Sequence, residues 1–269
     1  MRACNSQIMR QADDVMTTSY EVVTFYEFKP IAEPDLITVR KSLLEAMSRY
    51  QILGTVIVAT EGFNATVSGS PELLRQFIAE ANAILDTEIR YKSSYHYEPP
   101  FKRAKVKVKR EIVTLGLPVD VSLGEGTHVD PREWNDVISR DDVFVLDTRN
   151  SYEYKTGTFV GAVDPETDKF SELPAFVEEH LDPERHRAIA MFCTGGIRCE
   201  KFAPYMRAKG FDTVYQLQGG ILNYLEKVPK EQQLWNGECF VFDERISVDA
   251  ELSKGTAADL SLPKSEEGE

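Results

Sequence analysis

Ala188-Ile189-Ala190-Met191-Phe192, followed directly by Cys193-Thr194-Gly195-Gly196-Ile197-Arg198-Cys199, is the stretch on which the fold turns. The first five residues are an unbroken apolar run, the pattern of a strand buried on both faces of a parallel sheet. A thiol at the carboxyl end of such a strand, just before a helix, sits where open α/β sheets hold their ligands. Gly195 and Gly196 let the backbone curl, so that successive N–H groups point inward as an anion-binding nest. The helix that follows adds its positive N-terminal end. These effects favour thiolate over thiol, below the free cysteine value of about 8.5. Cys193 is therefore the candidate nucleophile, with Thr194, Gly195, Gly196, Ile197 and Arg198 as its anion-binding loop. Arg198 is read as a fixed cation and a forked donor for an anion held there. A structural cysteine is the plainer alternative, and paired glycines in a Cys-x4-Arg loop argue against it. The loop is expected in a surface crevice. Cys199, about one and two-thirds helical turns further on, is either a resolving thiol for an oxidised Cys193 or a packing residue.

Around this loop, strands and helices alternate. Asp130 reads as an N-cap with Pro131 at the first helical position, Glu133 suggests a capping box, and Val129 and Trp134 form a hydrophobic staple. Val143–Leu146 is a second apolar strand, and Leu173, Phe176, Val177 and Leu181 mark a helix. After the loop come a helix ending at Gly210, a strand over Thr213–Leu217 and a helix over Ile221–Lys227. The alternation predicts a parallel α/β sheet with right-handed crossovers over residues 130–229. Residues 230–248 read as a hairpin-like tail, and 249–269, acidic with Ser and Gly, as disordered.

The first half has a different grammar. Residues 1–19 show no periodicity and read as a flexible arm. From 20 to 114 the order is strand, helix, strand, strand, helix, strand, with 89–96 and 104–114 as closing strand material. This βαββαβ order predicts a ferredoxin-like, acylphosphatase-like α+β domain. Residues 115–129, rich in Gly and without periodicity, are taken as the linker.

The 269 residues carry a net charge of −13, with 42% hydrophobic residues. Mean hydropathy is −0.32. No apolar run approaches the roughly 20 residues a membrane helix needs. Four cysteines, at 4, 193, 199 and 239, are too few and too unevenly spaced for a disulfide framework, which suits a reduced cytoplasmic protein. The acidic balance excludes a uniformly basic nucleic-acid binder, but not a local basic surface. Eight basic residues against one acid between Arg90 and Arg110 make such a surface. Arg103, Lys105, Lys107 and Lys109 alternate with Ala104, Val106 and Val108, so a strand would put the cations on one face. They are the candidate phosphate contacts, with Tyr91, Tyr95, Tyr97 and Phe101 as stacking groups; a solvated outer strand face is the alternative. The histidines at 96, 128, 180 and 186 have no metal-ligand spacing, and Gly219-Gly220 is no dinucleotide fingerprint. The sequence thus carries no metal or nucleotide motif, and it leaves the cofactor unknown.

Cys193–Arg198 resembles the six-residue active-site loop of rhodanese (sulfurtransferase) domains. Leu146-Asp147-Thr148-Arg149 with Glu153, Gly157-Thr158-Phe159-Val160-Gly161-Ala162, and Tyr215-Gln216-Leu217-Gln218-Gly219-Gly220-Ile221 look like the other signatures of that family. The phosphatases of this fold use a loop one residue longer, so the shorter loop argues against phosphatase activity. With EGFNATVSG at 61–69, KVKVKREIVTLG at 105–116 and GECFVFDERISV at 237–248, the chain resembles the rhodanese-domain tRNA uridine hydroxylase family from about residue 20 to 248. That resemblance implies a tRNA-modifying oxidoreductase that converts the wobble uridine to 5-hydroxyuridine with molecular oxygen as co-substrate, by a route of oxygen activation that the sequence leaves unknown. It also implies Cys193 as the essential residue, a cytoplasmic location, and tRNA rather than DNA or a membrane as partner. A sulfurtransferase passing persulfide sulfur from Cys193 to an acceptor is the alternative, and a non-catalytic binding module a third. The basic strand favours the tRNA enzyme, since a small-molecule sulfurtransferase has no need of it.

Overall fold

The computed structural model describes residues 19–120 and 124–261. Most of the expected arm with Cys4, residues 121–123 of the expected linker, and 262–269 lie outside them. The first sheet is built from β1 (Tyr20–Glu27), β2 (Leu53–Ala59), β3 (Gly62–Gly69), β4 (Lys92–His96) and β5 (Ala104–Val108), in the order β4-β1-β3-β2-β5. Helices α1 (Leu36–Arg49) and α2 (Pro71–Leu85) cover one face. Their apolar stripes, among them Leu43, Met47, Phe77 and Ile78, pack on Val23, Phe25, Val56 and Val67. The first four strands have ferredoxin-like order. The fifth is a difference from the single closing strand expected. Glu98-Pro99-Pro100 breaks the ladder after β4, and the chain crosses to the far edge, where β5 pairs parallel to β2.

The second sheet runs β6-β10-β9-β7, all parallel, from β6 (Thr127–Val129), β7 (Val143–Asp147), β9 (Ala188–Phe192) and β10 (Thr213–Leu217). Helices α3 (Pro131–Ile138), α4 (Ser151–Thr156), α5 (Leu173–His180), α6 (Ile197–Ala208) and α7 (Gly220–Lys227) connect and flank it. Every residue of β9 is buried, as a central strand between two helical layers must be. Asp130 caps α3 by accepting from the Arg132 N–H, and Val129 and Trp134 are both buried; Glu133 makes no reciprocal cap.

Three boundaries differ from the expectation. Thr127–Val129, read as linker, is an edge strand of the second sheet, because its backbone pairs with Tyr215–Leu217. The tail is not one hairpin. β11 (Trp235–Gly237) pairs with β8 (Gly157–Phe159), while β12 (Cys239–Phe240) pairs with β13 (Ser247–Val248). Residues 249–257, read as disordered, are tied down: Glu238 accepts from the Thr256 and Ala257 N–H groups, and the Gly255 N–H donates to Ser247. Glu238 and Asp249 hold this segment by hydrogen bonds, and Leu252 packs it against the core of the second domain.

Candidate active site

Cys193 leaves the end of β9 and the chain curls through Thr194–Gly196 into α6. Gly196 lies at φ +105°, and a Cβ there would stand 2.7 Å from the Tyr26 hydroxyl, so both conformation and space demand glycine. Gly220, at φ +70°, is pressed on the same loop: a Cβ would meet the Cys193 carbonyl at 2.4 Å. That closeness lets the first turn of α7 brace the loop, through Ile221 N–H to the Cys193 carbonyl (2.9 Å) and Leu222 N–H to that of Thr194 (3.1 Å).

The Gly196 N–H donates to Cys193 Sγ at 3.1 Å. Burial pushes this thiol up, but the Cys199 S–H, the Arg198 guanidinium and the N–H groups of Cys199 and Arg198 outweigh it and bring the value down to about 5. Cys199, itself buried and touching the Thr148 hydroxyl at 3.6 Å, is pushed well above the ordinary thiol range by burial and by the Cys193 sulfur beside it. The pair therefore holds one proton, on Cys199. Arg198 departs from its expected part. Its fork is engaged with Glu153 (Nη1–Oε2 2.7 Å, Nη2–Oε1 2.8 Å), a carboxylate with no exposure, and so it is not a free fork for a bound anion. Glu153 is in turn held by the Asn150 N–H in a capping box on α4. Arg149 forks onto Asp147 and lies over the Phe192 and Trp235 rings, so the Leu146–Arg149 signature is structural.

The loop is not in a surface crevice, because the first sheet roofs it. Cys193 is 1% exposed and lines a partly open cavity of about 540 Å³, bounded by the loop, the first sheet, residues 113–114 and 169–171, and the C-terminal segment. The sheet contributes Thr24, Tyr26, Asn64, Thr66 and Lys92, and the C-terminal segment contributes Phe242, Asp243 and Arg245. Lys92 Nζ donates to the Gly195 carbonyl at 3.0 Å and to that of Gly219, so a residue of the basic run is turned inward onto the active-site loop. Burial lowers its value to about 8. Lys201, on α6, closes the two domains on each other through Glu61 (2.9 Å), Glu111 (2.6 Å) and the Val113 carbonyl (3.0 Å).

Tyr26, Lys92 and Lys201 are not legible as site residues in the sequence, and Asn64, Glu153 and the C-terminal wall stand out only as parts of motifs. Only the EGFNATVSG and KVKVKREIVTLG motifs signalled that the first domain had a part in the site. Arg103, Lys105, Lys107 and Lys109 are all exposed and lie away from Cys193. Strand registers nevertheless join the two places: Lys92, Thr24, Thr66, Thr55 and Lys105 stand opposite one another in one row across the sheet. Residues opposite in register share a face, and four strand spacings make the row roughly 19 Å long. The open sheet face thus runs from the cavity to the cationic edge. Tyr91, Tyr95 and Tyr97 lie at the other edge, exposed. Among the described residues, Glu125, His128 and Glu200 bring ligand-type atoms within 4.8 Å of one another. Histidine spacing cannot reveal that group, since it joins β6 to α6. Glu200 is bonded to His128 at 2.9 Å and accepts from the Tyr26 hydroxyl at 3.4 Å.

A reactive-cysteine loop on a parallel sheet, covered by an α+β sheet, defines the class. Residues 20–112 match the UPF0176 acylphosphatase like domain and 130–227 the rhodanese-like domain. A tRNA uridine(34) hydroxylase of Deinococcus radiodurans is 50% identical over 238 residues, 88% of this chain and 79% of that protein. One of Teredinibacter turnerae is 48% identical over 242 residues, 89% of this chain and 74% of that protein. The chain belongs to the tRNA uridine(34) hydroxylase family. The rhodanese-like domain of the Anabaena sp Alr3790 protein is 19% identical with a TM-score of 0.34, covering 41% of this chain and 78% of that one. No helix among the described residues is long and apolar enough to cross a membrane.

Proposed function

We propose that this protein hydroxylates carbon 5 of uridine 34 in tRNA with molecular oxygen, and that the Cys193 thiolate is the group that engages the base. The observation that carries this reading is a thiolate lowered to about 5 inside a partly open cavity that also receives the open face of a second domain. Thiolate addition to C6 of uracil makes C5 nucleophilic towards an oxidant. C5 takes one oxygen atom of O2, and the other leaves as water with two electrons and two protons from an external reductant. Loss of the C5 proton and of the thiolate then restores the ring. A base taken out of the anticodon loop reaches Cys193 only by entering the cavity, as base-modifying enzymes require of their substrates. The anticodon arm then lies along the sheet face toward Arg103, Lys105, Lys107 and Lys109, whose contacts are to phosphate and carry little sequence information. Cys199 donates its proton to the thiolate and stands where it can resolve an oxidised Cys193. Peroxide treatment followed by peptide mass spectrometry tests that part: a Cys193–Cys199 linkage supports it, and a lasting Cys193 sulfenate or sulfinate removes it.

Persulfide transfer is the competing chemistry for this loop. It needs neither the basic edge nor the sheet that roofs the cavity, and the family membership does not favour it. Purified protein incubated with tRNA under air, followed by nucleoside mass spectrometry, separates the two. 5-Hydroxyuridine supports the proposal, and thiolated uridine without it supports sulfur transfer.

A further inference from the structure

The EGFNATVSG motif sends two side chains, Asn64 and Thr66, into the cavity that holds Cys193. Asn64 Nδ2 donates to the Ile112 carbonyl at 3.1 Å. This bond fixes the amide, since only the nitrogen can face a carbonyl. Oδ1 is left as an acceptor, and among the described residues no protein group donates to it. Beside it on the same sheet face, the Thr24 and Thr66 hydroxyls are 3.3 Å apart. Whichever donates to the other, one O–H remains to be given away. A Cβ on Gly195 would stand 3.9 Å from the Thr24 methyl, so this hydroxyl pair sits against the active-site loop.

An acceptor next to a spare donor is a pattern with a matching base edge. Uracil offers an N3–H donor flanked by carbonyl acceptors. Cytosine offers an acceptor at N3 and an amino donor beside it, the reverse at both positions. We infer that Asn64, with the Thr24–Thr66 pair, reads the edge of the base in the cavity and admits uracil while rejecting cytosine. The inference rests on the proposed function and adds its specificity determinant. In the wrong complex two acceptors, Asn64 Oδ1 and cytosine N3, face each other without a proton between them. An unsatisfied buried polar group of this kind costs about 5- to 150-fold in affinity.

Anticodon stem–loops carrying uridine or cytidine at position 34, used as competing inhibitors of tRNA hydroxylation, test this. In the wild type the uridine stem–loop should inhibit about 5- to 150-fold more strongly than the cytidine one. Asn64→Ala should bring the two within about 3-fold, in a folded protein whose thermal midpoint falls only by the lost Ile112 bond and whose rate of Cys193 alkylation is unchanged. Ile112 keeps its place in that variant because its N–H is held by Glu61 Oε1 at 2.6 Å. Thr66→Val should narrow the ratio partly. A wild type with no preference overturns the inference, as does an Asn64→Ala protein that keeps the full ratio. If Asn64→Ala fails to fold, an unchanged ratio in Thr66→Val overturns it. A wild type that hydroxylates no tRNA uridine refutes the proposed function instead, which keeps the two failures distinct.

Discussion

Cys193 and Cys239 are equally buried, at 1% and 0% exposure, and they end at opposite extremes. Burial, helped by the Glu153 and Asp147 carboxylates and opposed by Arg149 and Arg198, pushes the Cys239 thiol up to about 12, and among the described residues its S–H donates to the Phe240 carbonyl at 3.7 Å. Burial pushes Cys193 up as well, but a nest of N–H groups, a neighbouring S–H and a clamped guanidinium bring it to about 5. The lesson is that depth does not make a cysteine inert. Donors aimed at the sulfur decide, and they come from the loop and the helix start rather than from the strand that each cysteine ends or begins.

The widest break of this comparison is substitution of each cysteine in turn. Cys193→Ala or Cys193→Ser should abolish tRNA uridine hydroxylation in a protein that still folds, while Cys239→Ala should keep most of the activity and lose stability. Loss of activity on removing Cys239 alone, from a folded protein, would overturn it. The pH dependence follows the same division. Cys193 should be alkylated with a midpoint near pH 5, and Cys239 should resist until the protein unfolds. The contribution of Cys193 to folding is fully present above the unfolded thiol value of about 8.5 and is lost as pH falls through about 5. That of Cys239 is present below about 8.5 and lost as pH rises through about 12.

A sharper test moves one cysteine toward the other. Arg198→Gln combined with Glu153→Gln replaces a buried ion pair by a neutral amide pair of similar shape. The Cys193 midpoint should rise by about one unit, lowering the alkylation rate about 10-fold at pH 4, below the midpoint, and only about 2-fold at pH 6. An unmoved midpoint would assign the thiolate to the Cys199 S–H and the backbone nest.

Lysines repeat the contrast between buried and exposed groups at smaller amplitude. Lys201→Met removes the cation between Glu61 and Glu111 and should cost about 3 kcal/mol in denaturant unfolding, the lower end for breaking a buried pair. Unchanged stability would show that the two domains are held together by other contacts. Lys105→Ala with Lys107→Ala should leave stability alone and weaken tRNA binding severalfold. It should also flatten the salt dependence by roughly 0.7–0.9 for each phosphate that is no longer neutralised. Identical salt slopes for the variant and the wild type would place the tRNA elsewhere.

Much of this molecule was legible in one dimension because its signals are local. A five-residue apolar strand ending in Cys-Thr-Gly-Gly-Ile-Arg specifies a buried strand, a curled loop and a helix start without reference to anything distant. Period-2 alternation likewise placed Lys105 and Lys107 opposite Val106, which is buried. The strand containing them was legible, but its neighbour was not. Pairing of β5 with β2 rather than β4 with β2 depends on which edge a seven-residue connection reaches, and spacing does not encode that choice.

What the sequence by itself determined is the chemistry of the loop: a thiol, a nest and a helix terminus, all set by adjacent residues. Tertiary structure alone decided what that chemistry faces. It turned Lys92 inward onto the Gly195 carbonyl, spent the fork of Arg198 on Glu153, and brought Asn64, more than a hundred residues away, over the same cavity. The reason is physical. A backbone conformation is a property of neighbours in the chain, whereas a cavity wall belongs to surfaces that meet only when two cores, each built on its own hydrophobic pattern, close on one another.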